Sequence, residues 1–343
     1  MDNREIVAFD SWTNGIRHFD RFHSSVQAVG YKLRFLHIES WAPESGKARR
    51  PSTTGIEIVD VGSATGFRFL KLFDKKRPAV LVFVSVDSFT HRAVNLLCQK
   101  MGIPTVHLFH GIVTVQSTGS DASTRMNPIA RLLFVIPRIP RLFLRVLPTY
   151  GCALFGARAG LSEWLKIPKD IIGNAIGKYS VKSAPDARCN IALVYTESDR
   201  AHAMTKYGYG YDEVFVVGNP DLETFGIQDR DIGALVHTNS PKKRELIYID
   251  TGLILSGRVF KTPDEFVDHL KILRRAAEEQ GYSVSLKLKP KLEMTGIFDT
   301  LRADGFEILD NDTFRERLLT AAAAIVEPST ASLVAGLVGL PLF

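Results

Sequence analysis

Cysteine is scarce in this chain: Cys98, Cys152 and Cys189 are the only three, far apart in 343 residues. They form no Cys-x-x-Cys pair and no Cys/His ligand spacing, which argues against a disulfide framework and a structural zinc site. A reduced, cytoplasmic setting is therefore expected. No run of about 18 apolar residues occurs, so no segment reads as a membrane-spanning helix. The opening MDNREIVAF passes straight into a strand-like stretch. It lacks the basic segment, apolar core and small-residue cleavage site of a secretion signal. The loop after that first strand, Asp10-Ser11-Trp12-Thr13-Asn14-Gly15, is not a Gly-x-Gly-x-x-Gly, which disfavours a dinucleotide cofactor.

Charge of one sign is also in modest supply. The 43 Lys and Arg exceed the 37 Asp and Glu by six, with a pI near 9.1. That surplus is too small to mark a nucleic-acid binder, and nucleic acid is not expected as a partner. It suits an anionic partner such as a nucleotide diphosphate, an acidic sugar or a phospholipid surface. The chain is 45% hydrophobic and 23% charged, enough for a packed core throughout. Its length suits two domains.

The pattern along the chain is alternating strand and helix. Strands are expected at 6–9, 31–38, 56–61, 79–86 and 105–109, with helices at 16–29, 66–73 and 91–101 between them. The run AVLVFVSV at 79–86 has the continuous apolar character of a strand covered on both faces of a parallel sheet. Residues 112–185 read as less regular. Further strands are expected at 192–196 and 214–217 with a helix at 198–207. Residues 226–244 are polar and charged and read as a linker. The alternation then restarts: strands at 245–250, 284–288, 306–309, 323–326 and 340–343, helices at 264–279, 294–304, 313–322 and 329–338. Thr262-Pro263 supplies a capping threonine and a proline at the first helical position. The fold class is thus α/β, two Rossmann-like doubly wound domains, at 1–225 and 245–343. The chain stops on a strand with no helix after it, so the second domain reads either as incomplete at its C-terminus or as supported in another way.

Open α/β sheets bind ligands at the carboxyl ends of their strands, and the chemistry-bearing residues fall there. In the first loop, Asn14 and Gly15 allow a substrate to approach the backbone, although an ordinary turn has the same composition. His107 lies in mid-strand and reads as structural; His110, at the strand's end before Gly111, is the better general base or hydrogen-bonding group. Gly218-Asn219-Pro220 is a tight turn. Asp250-Thr251-Gly252 ends the first strand of the second domain with small and polar residues that admit a diphosphate. In LKLKPK at 286–291, Lys289 stands at a strand end, where a cation neutralises phosphate. At Glu327-Pro328-Ser329-Thr330 a strand turns into a helix. Free backbone N–H groups and two hydroxyls there suit an anion, and Glu327 suits a ribose. A plain helix cap at Ser329 or Thr330 is compatible with both.

Four pieces taken together carry a resemblance: IPTVHLFHG at 103–111, YTESDRAHAMTKYGY and VFVVGNPDLE within 195–223, LKLKPK at 286–291, and EPSTASLVAGLVGLPLF at 327–343. They resemble GT-B glycosyltransferases of bacterial capsule and surface-carbohydrate synthesis, a group that includes Kdo- and sialic-acid-type transferases and CDP-glycerol glycerophosphotransferases. The resemblance implies transfer of a sugar or polyol phosphate from a nucleotide-activated donor, the donor substrate, with no tightly bound cofactor or metal. The acceptor it implies is a glycan or a lipid-linked saccharide. Such families place a His-Pro pair where this chain has Lys289-Pro290, so a cation is kept but histidine is not. Ser329-Thr330 match the pair implicated in donor phosphate binding, and His110-Gly111 look like the acceptor-domain motif. Asp10 is taken as the catalytic carboxylate from its position alone. Asp310-Asn311-Asp312 reads as solvated rather than as a metal motif.

The stretch RMNPIARLLFVIPRIPRLFLR at 125–145 interleaves arginine with apolar residues, and its prolines prevent one long helix. It suits contact with an anionic membrane, at its inner face, or a buried contact loop with charged ends. Two other functions fit the same layout: a non-hydrolysing UDP-sugar 2-epimerase, and a non-catalytic nucleotide-binding subunit of a polysaccharide assembly complex.

Overall fold

The computed structural model describes residues 4–39, 55–66, 68–109, 151, 154–175, 185–219, 243–256, 259–327 and 329–343. The chain divides into two compact units, Met1–Asn219 and Pro220–Phe343.

The first unit holds a seven-stranded sheet in the order β3-β2-β1-β4-β5-β6-β7. The strands are β1 (Glu5–Asp10), β2 (Lys32–His37), β3 (Glu57–Asp60), β4 (Val80–Phe83), β5 (Thr105–Leu108), β6 (Ile191–Val194) and β7 (Val214–Val216). Every pairing between them is parallel. Side chains alternate across a strand, so β1 sends Val7 and Phe9 into one buried cluster and Ala8 into the other. Phe9 meets Phe69 and Phe83 edge-on at 5.5 and 6.0 Å. Burial of one such aromatic contributes about 2–3 kcal/mol. The helix Phe89–Met101 is capped by Ser88, whose side chain accepts from the His91 amide, and is stopped by Gly102 at φ 65.

The second unit holds a four-stranded parallel sheet in the order β10-β9-β8-β11, with β8 (Glu245–Ile249), β9 (Ser283–Lys287), β10 (Glu307–Ile308) and β11 (Ala323–Val326). Ile247 and Ile249 pack on one face and Tyr248 on the other. Thr262 caps the long helix Pro263–Glu279 by accepting from the Glu265 amide. The C-terminal residues add an edge: the Ala324 amide donates to Pro341 O at 2.8 Å and the Phe343 amide to Ala324 O at 2.9 Å.

Several local expectations are corrected. The helix expected over 16–29 is broken into a 3-10 turn at Thr13–Ile16 and short helices at Arg17–Asp20 and His23–Ala28. The strand expected over 56–61 ends at Asp60, because the Asp60 carboxylate accepts from the Gly62 and Ser63 amides and starts the helix Val61–Thr65. Gly66, expected inside a helix, closes that helix at φ 58, a conformation that suits glycine. The helix expected over 294–304 is split at Gly296 into a 3-10 stretch, Pro290–Thr295, and the helix Ile297–Ala303. Within 112–185, read as irregular, runs a helix, Leu161–Ala175, with Pro168 inside it. Asp310 caps the helix Asn311–Thr320 by accepting from the Thr313 amide. Among the described residues no helix is long and apolar enough to cross a membrane. The 125–145 segment, most of the 226–244 linker, and His110 and Gly111 lie outside the described residues.

Candidate functional site

Each sheet has one point where the strand order reverses direction: between β1 and β4 in the first unit, between β8 and β11 in the second. Loops leaving neighbouring strands there run to opposite faces and open a crevice, where ligands of doubly wound sheets bind. The candidate residues sit at these two places.

In the second unit, the loops after β8, β9 and β11 are tied together by side chains. The Asp250 carboxylate accepts from the Gly252 amide at 2.8 Å and from the Lys289 amide at 3.1 Å. It therefore staples the β8 loop to the β9 loop. Burial raises the Asp250 carboxyl above its ordinary range, against the pull of those two amides. Glu327, buried after β11, accepts from the Tyr248 hydroxyl at 2.6 Å and from the Thr251 amide and hydroxyl at 2.7 and 2.6 Å. Burial, and then the Glu327 carboxylate, push the Tyr248 hydroxyl well above its ordinary pKa. Glu327 thus has three protein donors of its own and shapes the Thr251-Gly252 turn. Lys289 is exposed, and its ammonium donates to the Thr251 carbonyl at 3.1 Å.

Ser329 caps the helix Thr330–Leu337: its hydroxyl accepts from the Ser332 amide at 3.1 Å, and its own amide donates to Ser332 Oγ at 2.7 Å. Thr251, Gly252, Lys289, Glu327 and Ser329 are therefore gathered at the carboxyl ends of three strands. Pro290 starts the 3-10 stretch after β9, and Thr330 starts its helix. The gathered groups include an exposed cation and a helix N-terminus, which together favour a phosphate or diphosphate.

In the first unit, Asp10 ends β1, and its Oδ1 accepts from the Ser11 amide at 2.6 Å. Burial raises its carboxyl from 3.8 to about 6, against the Ser11 and Trp12 amides and the Arg17 charge. A carboxylate with that pKa is a base matched to neutral pH. Gly15 packs directly on Asp10: a Cβ at Gly15 would lie 2.1 Å from Asp10 Oδ2. Asn14 lies in the 3-10 turn beside it.

Four polar residues around the end of β1 were not singled out from the sequence. His91, in the helix after β4, places Nε2 3.9 Å from Asp10 Oδ1. Burial lowers the His91 imidazole from 6.5 to about 4, and Asp87 opposes that shift. Thr13 bonds the Glu39 carboxylate through its hydroxyl and its amide. The Glu39 amide in turn donates to His37 Nδ1 at 3.2 Å. The usable signal was local: His91 lies in the helix after the 79–86 apolar run, three residues after the serine that caps it. His107 is buried in β5 among Phe109, Tyr207 and Tyr209, in keeping with a structural role. Among the described residues no group of three or more His, Cys, Asp or Glu is placed to hold a metal ion.

No protein-family model matches the sequence, and no curated protein matches it. Solved structures are similar in shape at low identity. The wall teichoic acid polymerase TagF is 12% identical with a TM-score of 0.51, over 100% of this chain and 70% of that one. The UDP-GlcNAc 2-epimerase of Methanocaldococcus jannaschii is 13% identical with a TM-score of 0.46, over 98% of this chain and 82% of that one. A putative UDP-N-acetylglucosamine 2-epimerase of Listeria monocytogenes is 10% identical with a TM-score of 0.48, over 99% and 78%. The likeness to TagF is one of fold. The chain has the α/β architecture of the GT-B class, with a doubly wound parallel sheet in each unit.

Proposed function

We propose that this chain is a glycosyltransferase-type enzyme that moves a sugar or a polyol phosphate from a nucleotide-activated donor to a surface-polysaccharide or lipid-linked acceptor. The observation that carries the reading is the convergence of Asp250–Gly252, Lys289, Glu327 and the Ser329-capped helix at the strand-order reversal of the second unit. In this reading the donor's phosphates lie against the helix N-terminus and Lys289. The Thr251-Gly252 turn, fixed in place by Glu327 and Asp250, receives the rest of the nucleotide. The fold shared with a polymerase of wall teichoic acid supports the same assignment.

The acceptor belongs to the first unit, beside Asp10, Asn14 and Gly15, with His110-Gly111 following β5 in sequence. Asp10 takes the proton of the acceptor hydroxyl as the new bond forms. The leaving phosphate is stabilised by the helix dipole and by the Lys289 ammonium. No resident metal is assigned a role. The surplus of basic and apolar residues at 125–145 suits an acceptor carried on a lipid surface.

The test is turnover of a donor panel, CDP-glycerol and CMP-, UDP- and GDP-sugars, with and without acceptor glycan. The reading requires nucleotide release that depends on acceptor and is lost in Asp10→Asn and reduced in Lys289→Ala. Interconversion of UDP-N-acetylglucosamine with no acceptor present would instead establish a 2-epimerase. Nucleotide binding without any turnover would establish a binding subunit.

A further inference from the structure

We infer that His91 is a positioning residue for Asp10: its buried Nε2 orients the Asp10 carboxylate as the base for the acceptor hydroxyl. The inference rests on the transfer reading above and adds to it a residue that nothing else assigns.

His91 is 3% exposed, and its Nε2 has no hydrogen-bond partner. That unused nitrogen faces Asp10 Oδ1 across 3.9 Å. The ring is held from its other side. Nδ1 lies 2.5 Å from Ser88 Oγ, and the same hydroxyl oxygen already accepts from the His91 amide at 3.2 Å. The Ser88 hydroxyl has a proton of its own to give, and in this pairing Nδ1 accepts it. A neutral imidazole that accepts at Nδ1 carries its proton at Nε2, so an N–H donor points at Asp10. The Phe9 ring, 4.9 Å from the imidazole centroid, and the Phe83 ring, 6.1 Å away, pack the imidazole.

The gap of 3.9 Å is too long for a hydrogen bond. A closure of about 1 Å makes one, of the kind that tightens when substrate binds. The bond holds the carboxylate in one rotamer and stabilises its ionised form. Other charges face the pair: Arg17 acts on Asp10, Asp87 acts on His91, and His37 stands beside Asp10 in the register of β1 and β2. None of these has an orphaned nitrogen aimed at the carboxylate.

In the reaction, the acceptor O–H gives its proton to Asp10. The oxygen forms a bond to the donor's electrophilic carbon or phosphorus, and the bond from that atom to the nucleotide's phosphate oxygen breaks, its electron pair leaving with the nucleotide. His91 stays neutral throughout and holds Asp10 in place.

The test is the Asp10 carboxyl titration in the full chain, followed by carbon-13 NMR of labelled aspartate, with the pH profile of transfer measured beside it. His91→Phe is expected to raise the Asp10 midpoint, because the carboxylate loses the Nε2–H dipole that faces it across 3.9 Å even before the gap closes. His91→Gln, which keeps an N–H, returns the midpoint toward the wild-type value. Ser88→Ala, which frees the tautomer without opening the core, gives a smaller rise in the same direction. The acid limb of the kcat/KM profile moves with the midpoint. An Asp10 midpoint unchanged in His91→Phe and Ser88→Ala, with the fold intact by amide spectrum, overturns the pairing. A midpoint that moves as expected while Asp10→Asn keeps full transfer activity supports the pairing and overturns the catalytic role of Asp10.

Discussion

Gly15→Ala is the smallest change that strikes the first unit's candidate base. An added Cβ would lie 2.1 Å from Asp10 Oδ2 and 2.7 Å from both Asp10 Cβ and Cγ. Turning the carboxylate would relieve only the first of these contacts. Asp10 Cβ is fixed to the end of β1, so either the strand end or the turn after it must move. The turn is braced by the Gly15 amide, which donates to Trp12 O at 3.0 Å, and by the Ser11 amide on Asp10 Oδ1 at 2.6 Å. Overpacking of this kind costs about 1–3 kcal/mol. For a domain of this size each kcal/mol lowers Tm by about 2–4 °C, so calorimetry is expected to show a fall of about 2–12 °C. A carboxylate pushed out of place also slows transfer, and about 1.4 kcal/mol of lost orientation is already tenfold. The initial rate is therefore expected to drop at least about tenfold. A Gly15→Ala protein with wild-type Tm and wild-type rate would refute the contact and the role together.

Three other outcomes follow from the same geometry. The Asp10 carboxyl rises from 3.8 to about 6 on folding, so folding favours its protonated form; that contribution is complete below pH 4 and is lost as pH rises through 6. Asp10→Asn should therefore stabilise the fold more at pH 8 than at pH 4, by about 3 kcal/mol at most, read by urea unfolding; an equal effect at both pH values would contradict it. Lys289 is exposed, so Lys289→Ala should leave Tm within about 1–2 °C while weakening nucleotide diphosphate binding about tenfold, measured by calorimetric titration; unchanged affinity would remove Lys289 from the site. Glu327→Gln puts an amide NH2 where Tyr248 and Thr251 donate, which should cost about 1–3 kcal/mol of stability and loosen the Thr251-Gly252 turn; full stability to urea would show that those bonds are dispensable.

What could be read from the sequence was what neighbours in the chain decide. Gly102 stops a helix with a φ of 65 because a left-handed residue closes that turn. Thr262-Pro263 starts a helix through a bond made within three residues. The apolar run at 79–86 marked a strand covered on both sides, although the paired strand is only Val80–Phe83. Distant partners were silent. The helix Leu161–Ala175, with Pro168 inside it, lies in the stretch read as less regular.

At the candidate sites the residues that end strands were legible by position, Asp10 and Glu327 among them. Their partners were not. His91 meets Asp10 only because β4 pairs with β1. Glu327 serves the Thr251 turn only because β11 pairs with β8. Sheet order decides both contacts, and sheet order is not written in any local motif. That both contacts fall where the order reverses has one physical cause: loops there diverge, leaving polar groups to face each other across the gap.

The most direct measurement is the thermal unfolding of the intact chain with CMP, CDP, UDP and GDP in turn. A ligand at about 100 times its Kd adds about 2.7 kcal/mol of stability. One nucleotide class should raise Tm well above the others, and the rise should shrink in Lys289→Ala. No shift with any of the four at millimolar concentration would contradict a nucleotide-activated donor on the second unit.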